Sequence, residues 1–255
     1  MPESLAAFSR YVESTESRIQ QEQARPNAFL YIDGLPEPRR AEVLKQIRNG
    51  QVYMERLQTR DSAGKTMVAP GALIHHWIGD AFVPGATVDQ AIALAQDYDH
   101  HQGIYPEVVR SKLLKRDAND FHIFYRLRKH KVITVTLDTE HEVRYFRDDP
   151  KRWHCVSLST RIAQVDDAGK PSEHERPVGQ DDGFLWRIDS WWRFEERDGG
   201  VYIECESASL TRDIPTGLAW LIQPFITSIP KESLQNTLGS TRSALLKRVA
   251  SAQKP

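Results

Sequence analysis

Residues 183–213 read GFLWRIDSWWRFEERDGGVYIECESASLTRD, and this stretch decides the fold because its two halves pair on paper. Asp198-Gly199 is the strongest short hairpin signal in the chain: a two-residue turn with positive φ suits Asp-Gly and matches the twist of paired strands. Counting outward sets Glu196 against Val201, Phe194 against Ile203, Trp192 against Cys205, Ser190 against Ser207 and Ile188 against Ser209. The other face carries Glu195 with Tyr202, Arg193 with Glu204, Trp191 with Glu206 and Asp189 with Ala208. A Gly199-Gly200 turn would oppose Glu195 to Glu204, and like charges directly opposed are unfavourable. The chosen register predicts a half-buried antiparallel pair with an apolar face floored by serines and a wet, charged face.

A second hairpin repeats the division. With Asp148–Lys151 as a four-residue loop, Tyr145 pairs with His154, Val143 with Val156, His141 with Leu158, Thr139 with Thr160 and Leu137 with Ile162. Asp138 with Arg161 and Arg144 with Cys155 fall on the reverse face, which puts Cys155 and Cys205 on opposite sides and leaves no disulfide between them. A turn at Lys129–Lys131 places Ile123, Tyr125 and Leu127 on the apolar side. Upstream, ALIHHWIGDAFV (72–83) reads as a strand, Thr87-Val-Asp-Gln90 as the capping box of a helix, and VVRSKLL (108–114) as a further strand. Residues 167–182 form a polar, exposed loop. The segment 214–230 is apolar but interrupted by Pro224 and Pro230, so broken turns of helix are expected before an amphipathic C-terminal helix from Lys231 to Val249.

The first 71 residues read as an N-terminal extension: a helix over 4–23, the apolar piece AFLYI, a helix near Glu37–Arg48 and a possible strand at Val52–Thr59. The remaining 72–250 form the main domain. With 34 basic against 35 acidic residues, mixed throughout, there is no basic stripe, and nucleic acid is excluded as an expected partner. No apolar run reaches the roughly 18 residues of a membrane span. The start lacks a basic-then-apolar signal pattern, so cytoplasmic location is the default expectation, an exported origin staying open if a leader has been removed.

The ordered set FVPGATVDQAIALAQDYDHHQGIYPEVVRSKLL (82–114), a run of antiparallel strands and one long C-terminal helix resembles the START/polyketide-cyclase (SRPBCC) superfamily over about residues 72–246. The resemblance implies an α+β helix-grip fold, a curved antiparallel sheet wrapped around the C-terminal helix, with a ligand cavity between them. It also implies that Trp220, Leu221, Phe225 and Ile226 border the cavity mouth, where an exposed cluster would touch a membrane surface transiently.

The registers place a minority of polar groups on the apolar face: His141, Thr139, Thr160, Tyr145, His154, Ser190, Ser207 and Ser209. Serines opposite large aromatics such as Trp192 leave space, and an unpartnered buried hydroxyl costs about 1–3 kcal/mol, so the row is best understood as a cavity wall. His141 is the best candidate for chemistry, either orienting a ligand carbonyl or acting as acid or base, with Tyr145 two residues along. His75 and His76 are adjacent on a strand and point to opposite faces, and His100-His101 lacks a companion ligand at metal spacing, so neither a metal nor another cofactor is expected. Arg193 with Glu204 and Arg161 with Asp138 read as solvated pairs, whereas Trp191 needs a cover, for which the N-terminal extension is favoured. The leading function is binding or transport of a hydrophobic small molecule (lipid, isoprenoid or polyketide-like). The alternatives are a cyclase/dehydratase-type enzyme using His141 and Tyr145, and a protein-interaction module using the extension or the Trp191 face.

Overall fold

The computed structural model describes residues 1–25, 28–131, 133–213 and 219–252, and their side chains except those of 219–227. In chain order the elements are α1 (Pro2–Gln23), α2 (Arg39–Arg48), β1 (Tyr53–Arg56), β2 (Ala72–Pro84), α3 (Val88–Ala95), β3 (Val108–Asp117), β4 (Asp120–His130), β5 (Thr134–Asp149), β6 (Arg152–Asp166), β7 (His174–Glu175), β8 (Arg187–Arg197), β9 (Gly200–Arg212) and α4 (Ala219–Ala252). The strands form one antiparallel sheet in the order β1-β2-β9-β8-β6-β5-β4-β3, with β7 on β6. The sheet is curved and α4 lies against its inner face, a helix-grip α+β fold.

The β8–β9 hairpin has the expected register throughout, from Arg187 opposite Leu210 to Arg197 opposite Gly200. Asp198 and Gly199 both have positive φ, 56° and 74°, as a turn matched to strand twist requires. The capping box also forms: Gln90 N–H donates to Thr87 Oγ1 (3.3 Å) and Thr87 N–H to Gln90 Oε1 (3.0 Å).

The β5–β6 hairpin differs by one residue between His141 and Arg147 and by two from Glu140 back to Leu137. The chain turns at Pro150-Lys151, and irregularities between Arg147 and Asp149 and between Glu140 and His141 shift the pairing. Tyr145 therefore faces Cys155, Val143 faces Ser157, and Thr139 faces Ile162. A slip by an odd number of residues sends a strand's side chains to the opposite faces. His154 thus leaves the inner face, while Cys155 and Ser157 enter it, and Thr160 is the extra residue of the bulge between Ser159 and Arg161. Cys155 and Cys205 share that face but flank Trp192 two strands apart, beyond disulfide reach, and both are free. In the β4–β5 hairpin His130 opposes Thr134, and the shift from the expected pairing is even, so Ile123, Tyr125 and Leu127 keep the inner face.

Two further expectations change. The C-terminal segment is one helix, α4, running through both prolines; each removes a single backbone donor, and the stripe Leu234, Leu238, Leu245 and Val249 buries the helix against the sheet. The helix comes closest at Gly79, where a Cβ would sit 2.6 Å from Leu238 Cδ1. The loop 167–182 contributes β7, which pairs His174 and Glu175 with Asp166 and Val165.

The largest correction concerns the charged outer face, which is not wet. Helix α1 lies on it, packing Phe8, Tyr11, Val12 and Ile19 with Trp191, Ala208 and Leu210, and Trp191 Nε1–H donates to Glu16 (3.3 Å). Beside it Leu30, Ile32, Val43 and Ile47 close over Tyr53, Phe82 and Tyr202. The strand β1 from the same N-terminal region extends the sheet on β2, pairing Tyr53 with Asp80. Beneath this cover Arg193 is 1% exposed, and Asp80, Glu204 and Glu206 are 0%. Arg193 forms an ion pair with Glu204, which also accepts from Tyr31 N–H (2.7 Å). Glu206 is held by Arg18 and by His76 Nε2 (2.6 Å), whose Nδ1 meets Tyr11 Oη at 2.7 Å. Asp80 and Glu204 are direct cross-strand neighbours. Burial lifts both carboxyls, Asp80 well above its ordinary value and Glu204 to about 7, and Arg193 beside Glu204 makes Asp80 the member that keeps the proton. Arg161 and Asp138 do not pair: Arg126 takes Asp138 in a bidentate contact (2.7 Å), and Arg161 binds Glu175.

Candidate functional site

Between the inner face of the sheet and α4 lies a cavity of about 770 Å³. Its floor is the inward row of the central strands: Trp192 and Phe194 of β8, Cys205 and Ser207 of β9, Val143 and Tyr145 of β5. The space exists because small side chains stand in register where a sheet of large ones would fill it. Ser157, Ser190 and Ser207 are directly opposed across β6, β8 and β9, a row of three hydroxyls running across the sheet. Ser209 and Thr211 continue the wall along β9. The four serines have no protein hydrogen-bond partner for their hydroxyls among the described residues, whereas Thr211 Oγ1 meets His75 Nε2 at 3.0 Å.

Six of the residues singled out in the sequence lie on this wall: His141, Tyr145, Ser190, Trp192, Ser207 and Ser209. Thr139 is fully buried behind His141 as its support, not on the wall. Thr160 is exposed, and His154 stacks on Phe146 (4.7 Å between ring centres) and bonds Asp148 (2.7 Å) outside the cavity. His154 is displaced by the one-residue slip in β6, and Thr160 by the bulge in which it stands unpaired between Ser159 and Arg161. The side chains of Trp220, Leu221, Phe225 and Ile226 lie outside the described residues.

Sequence reasoning missed a second wall, made by Tyr98, His101 and Tyr105 from the short turn region 98–105, facing Tyr125 of β4. The signal was present in DYDHHQGIY, whose aromatics recur at helical spacing. Here the donors are used internally. Tyr145 O–H donates to the Ala95 carbonyl (3.1 Å) and Tyr98 O–H to Tyr145 Oη (2.7 Å). His101 donates from Nε2 to the Leu94 carbonyl (3.2 Å), which leaves Nδ1 to accept from Tyr125 O–H (2.7 Å). Tyr105 O–H donates to Thr241 Oγ1 on α4 (3.1 Å), whose own hydrogen goes to the Thr237 carbonyl (2.8 Å). Burial keeps these phenols protonated, raising Tyr98, Tyr125 and Tyr145 well above the usual value and Tyr105 to about 12.

His141 is 7% exposed, and burial lowers its pKa to about 4, so the ring is neutral at physiological pH. Its Nε2 lies 3.1 Å from Thr139 Oγ1, and Thr139 O–H donates to the Tyr125 carbonyl (3.3 Å). Its Nδ1 has no partner among the described residues. Of the remaining histidines, His75 and His76 point to opposite faces as strand parity demands, and His100 is an exposed partner of Asp97 (2.6 Å). Arg128, Lys129, Lys131 and the exposed Ile133 also border the cavity, with Lys129 paired to Glu107 and Lys131 to Glu232 (2.6 Å). Among the described residues no helix is long and apolar enough to cross a membrane.

No family model matches the chain, and no curated protein matches it in sequence. Solved structures are similar in the course of the chain. The Zhui aromatase/cyclase of a Streptomyces species is 12% identical, with a TM-score of 0.47 over 72% of this chain and 100% of its own. The STAR-related lipid transfer protein of Xanthomonas axonopodis is 18% identical, with a TM-score of 0.45 over 74% and 98%. A START superfamily protein of Mycobacterium smegmatis is 7% identical, with a TM-score of 0.43 over 69% and 97%. By its own strand order and its gripping C-terminal helix, the chain has a helix-grip fold.

Proposed function

We propose that the chain binds and carries an uncharged, largely apolar small molecule in the cavity between its sheet and α4. The observation that supports this reading best is the space of about 770 Å³, walled by aromatics and aliphatics with a few convergent polar groups. Such a space would not persist as mere imperfect packing, since interiors are close-packed and voids larger than a water are few. His141 and the serine row supply orientation, while Trp192, Phe194 and Leu234 supply apolar contact.

The cyclase alternative finds less support. Tyr145 has its proton engaged with the Ala95 carbonyl, and a ring lowered to about 4 is a weak base near neutrality. The interaction-module reading loses its best surface, because Trp191 is covered by the chain's own α1.

Native mass spectrometry of freshly purified protein, followed by Nile red titration of the delipidated form, tests the proposal. A co-purified apolar molecule, or saturable one-to-one dye uptake that Ser190→Trp abolishes, is the expected result. Protein that emerges empty and takes up no dye, or dye uptake indifferent to Ser190→Trp, refutes it.

A further inference from the structure

The polar side of the ligand can be read from the row Ser157, Ser190 and Ser207, on the premise that the cavity is a ligand site. These residues are directly opposed on β6, β8 and β9, strands near the middle of the sheet. Trp77 bounds the row beyond Ser207, and Val143 bounds it beyond Ser157. Ser209, 5% exposed, stands two residues further along β9 on the same wall.

Two observations show these hydroxyls open to the cavity. Ser157, Ser190 and Ser207 are only half-buried, although their side chains lie on the inner face of central strands. The side-chain atoms that are both buried and unpartnered include His141 Nδ1 but no serine oxygen. Since the four serine hydroxyls have no partner among the described residues, their oxygens are not shut in. The phenols of the wall, by contrast, have committed their hydrogens: Tyr145 to the Ala95 carbonyl, Tyr98 to Tyr145 and Tyr125 to His101.

Directly opposed side chains have Cβ atoms about 5 Å apart, and no serine of the row bonds its neighbour, so the hydroxyls are separate stations. Water satisfies such groups until a ligand displaces it. A hydrocarbon seated on the row leaves all of them unpaired, and a single ligand oxygen reaches at most two neighbours. Pairing the whole row takes a second oxygen, about one strand interval (about 4.8 Å) from the first. A serine hydroxyl both donates and accepts, so ligand hydroxyls and carbonyls satisfy it equally.

We infer that the ligand has an apolar body and at least two uncharged oxygen functions along one edge, spaced by about one strand interval. That edge lies across β6, β8 and β9, and the body packs on Trp192 and Leu234. A plain apolar hollow would penalise each added ligand hydroxyl, because the group loses its water without replacement. The serine row inverts that order.

The test uses delipidated protein loaded with Nile red and displaced by a series on one skeleton: pentylbenzene, 3-pentylphenol and 5-pentylresorcinol. The resorcinol is expected to displace the dye at about tenfold lower concentration than the phenol, the ratio that one further satisfied hydrogen bond supplies. Pentylbenzene is expected to be the weakest of the series. The isomer 4-pentylcatechol, whose oxygens are adjacent, is expected to fall behind the resorcinol. The triple variant Ser157→Ala/Ser190→Ala/Ser207→Ala is expected to retain the dye and to rank pentylbenzene first and the resorcinol last. The wild-type series carries the test without the variant. Pentylbenzene ahead in the wild type, equal displacement by phenol and resorcinol, catechol matching resorcinol, displacement by none, or an order that the triple variant leaves unchanged each overturns the inference while leaving the dye-binding cavity in place. Failure to take up Nile red at all overturns the cavity reading, and this inference with it.

Discussion

The two faces of the sheet invert the usual association of charge with solvent. The inner face carries the apolar residues, Trp192, Phe194 and Ile203 among them, yet it borders a hollow. Over β2, β8 and β9 the outer face carries Asp80, Arg193, Glu204 and Glu206, and there it is filled, with those side chains no more than 1% exposed. What separates the faces is the supply of covering chain. Over β2, β8 and β9 the outer face meets α1, α2 and the segment 28–35, while the inner face meets α4, α3 and the turn region 98–105, which leave space over β5, β6 and β8. Side-chain character along a strand therefore tells which residues share a face, whereas exposure depends on what the rest of the chain lays over it.

Four experiments bear on this contrast, from the largest effect down. Deleting residues 1–60 removes β1 and strips Trp191, Leu210, Phe82 and Tyr202 of their cover. The truncated chain is expected to lose cooperative unfolding and to associate on size-exclusion chromatography; a sharp near-UV transition at the wild-type midpoint would show that the outer face stands alone. Next, Arg193→Met leaves Glu204 without its cation in a water-free site. Breaking a buried pair this way should lower stability by about 3–5 kcal/mol in urea unfolding, and a loss below about 1 kcal/mol would make the pair behave as a solvated one.

Asp80→Asn probes the proton held between the carboxyls. Asp80 is raised in the folded protein by burial and by Glu204 beside it, so the stability that its protonated form contributes is complete below the ordinary carboxyl pKa and is lost as pH rises toward the folded value. The wild type should therefore weaken from pH 5 to pH 8. The amide needs no proton, so Asp80→Asn should flatten that decline and gain about 1–3 kcal/mol at pH 8 with little change at pH 4. Parallel stability curves for the two proteins would place the titration elsewhere. The smallest effect compares Ser157→Trp with Thr160→Trp. The first should displace Nile red from the cavity and the second should leave uptake unchanged, with stability altered by roughly 1 kcal/mol or less for Thr160→Trp. The reverse pattern would restore the register in which Thr160 faces inward.

Legibility followed turn chemistry. Asp198-Gly199 has few alternatives, and all the pairs counted outward from it occur. The Asp148–Lys151 turn admitted two lengths, and bulges carry no side-chain signature, so His154 and Thr160 were placed inside and Cys155 and Ser157 outside. The Lys129–Lys131 error was harmless because its shift was even. The buried charges around Arg193 were illegible for another reason: their cover lies more than 150 residues upstream, as the 164-residue separation of Arg193 from its acceptor at the Phe29 carbonyl shows. Trp191 among those charges was the one local hint that the face is roofed. For the cavity, serines opposed to aromatics were readable, while the wall from Tyr98 to Tyr105 depends on how a short turn region docks.

The pairing of Arg18 with Glu206 spans 188 residues, and Trp191 with Glu16 spans 175. Helix α1 is thus made long before the strands that receive it. At 5–20 residues per second, roughly 10–40 s of synthesis separate the two partners. During that interval the stripe Phe8, Tyr11, Val12 and Ile19 lacks Trp191, Ala208 and Leu210 of the surface it packs on, and contacts so distant along the chain fold slowly once both ends are present. The roof of the outer face is in this sense written early and completed late, since α1 waits for strands β8 and β9 before its packing is whole.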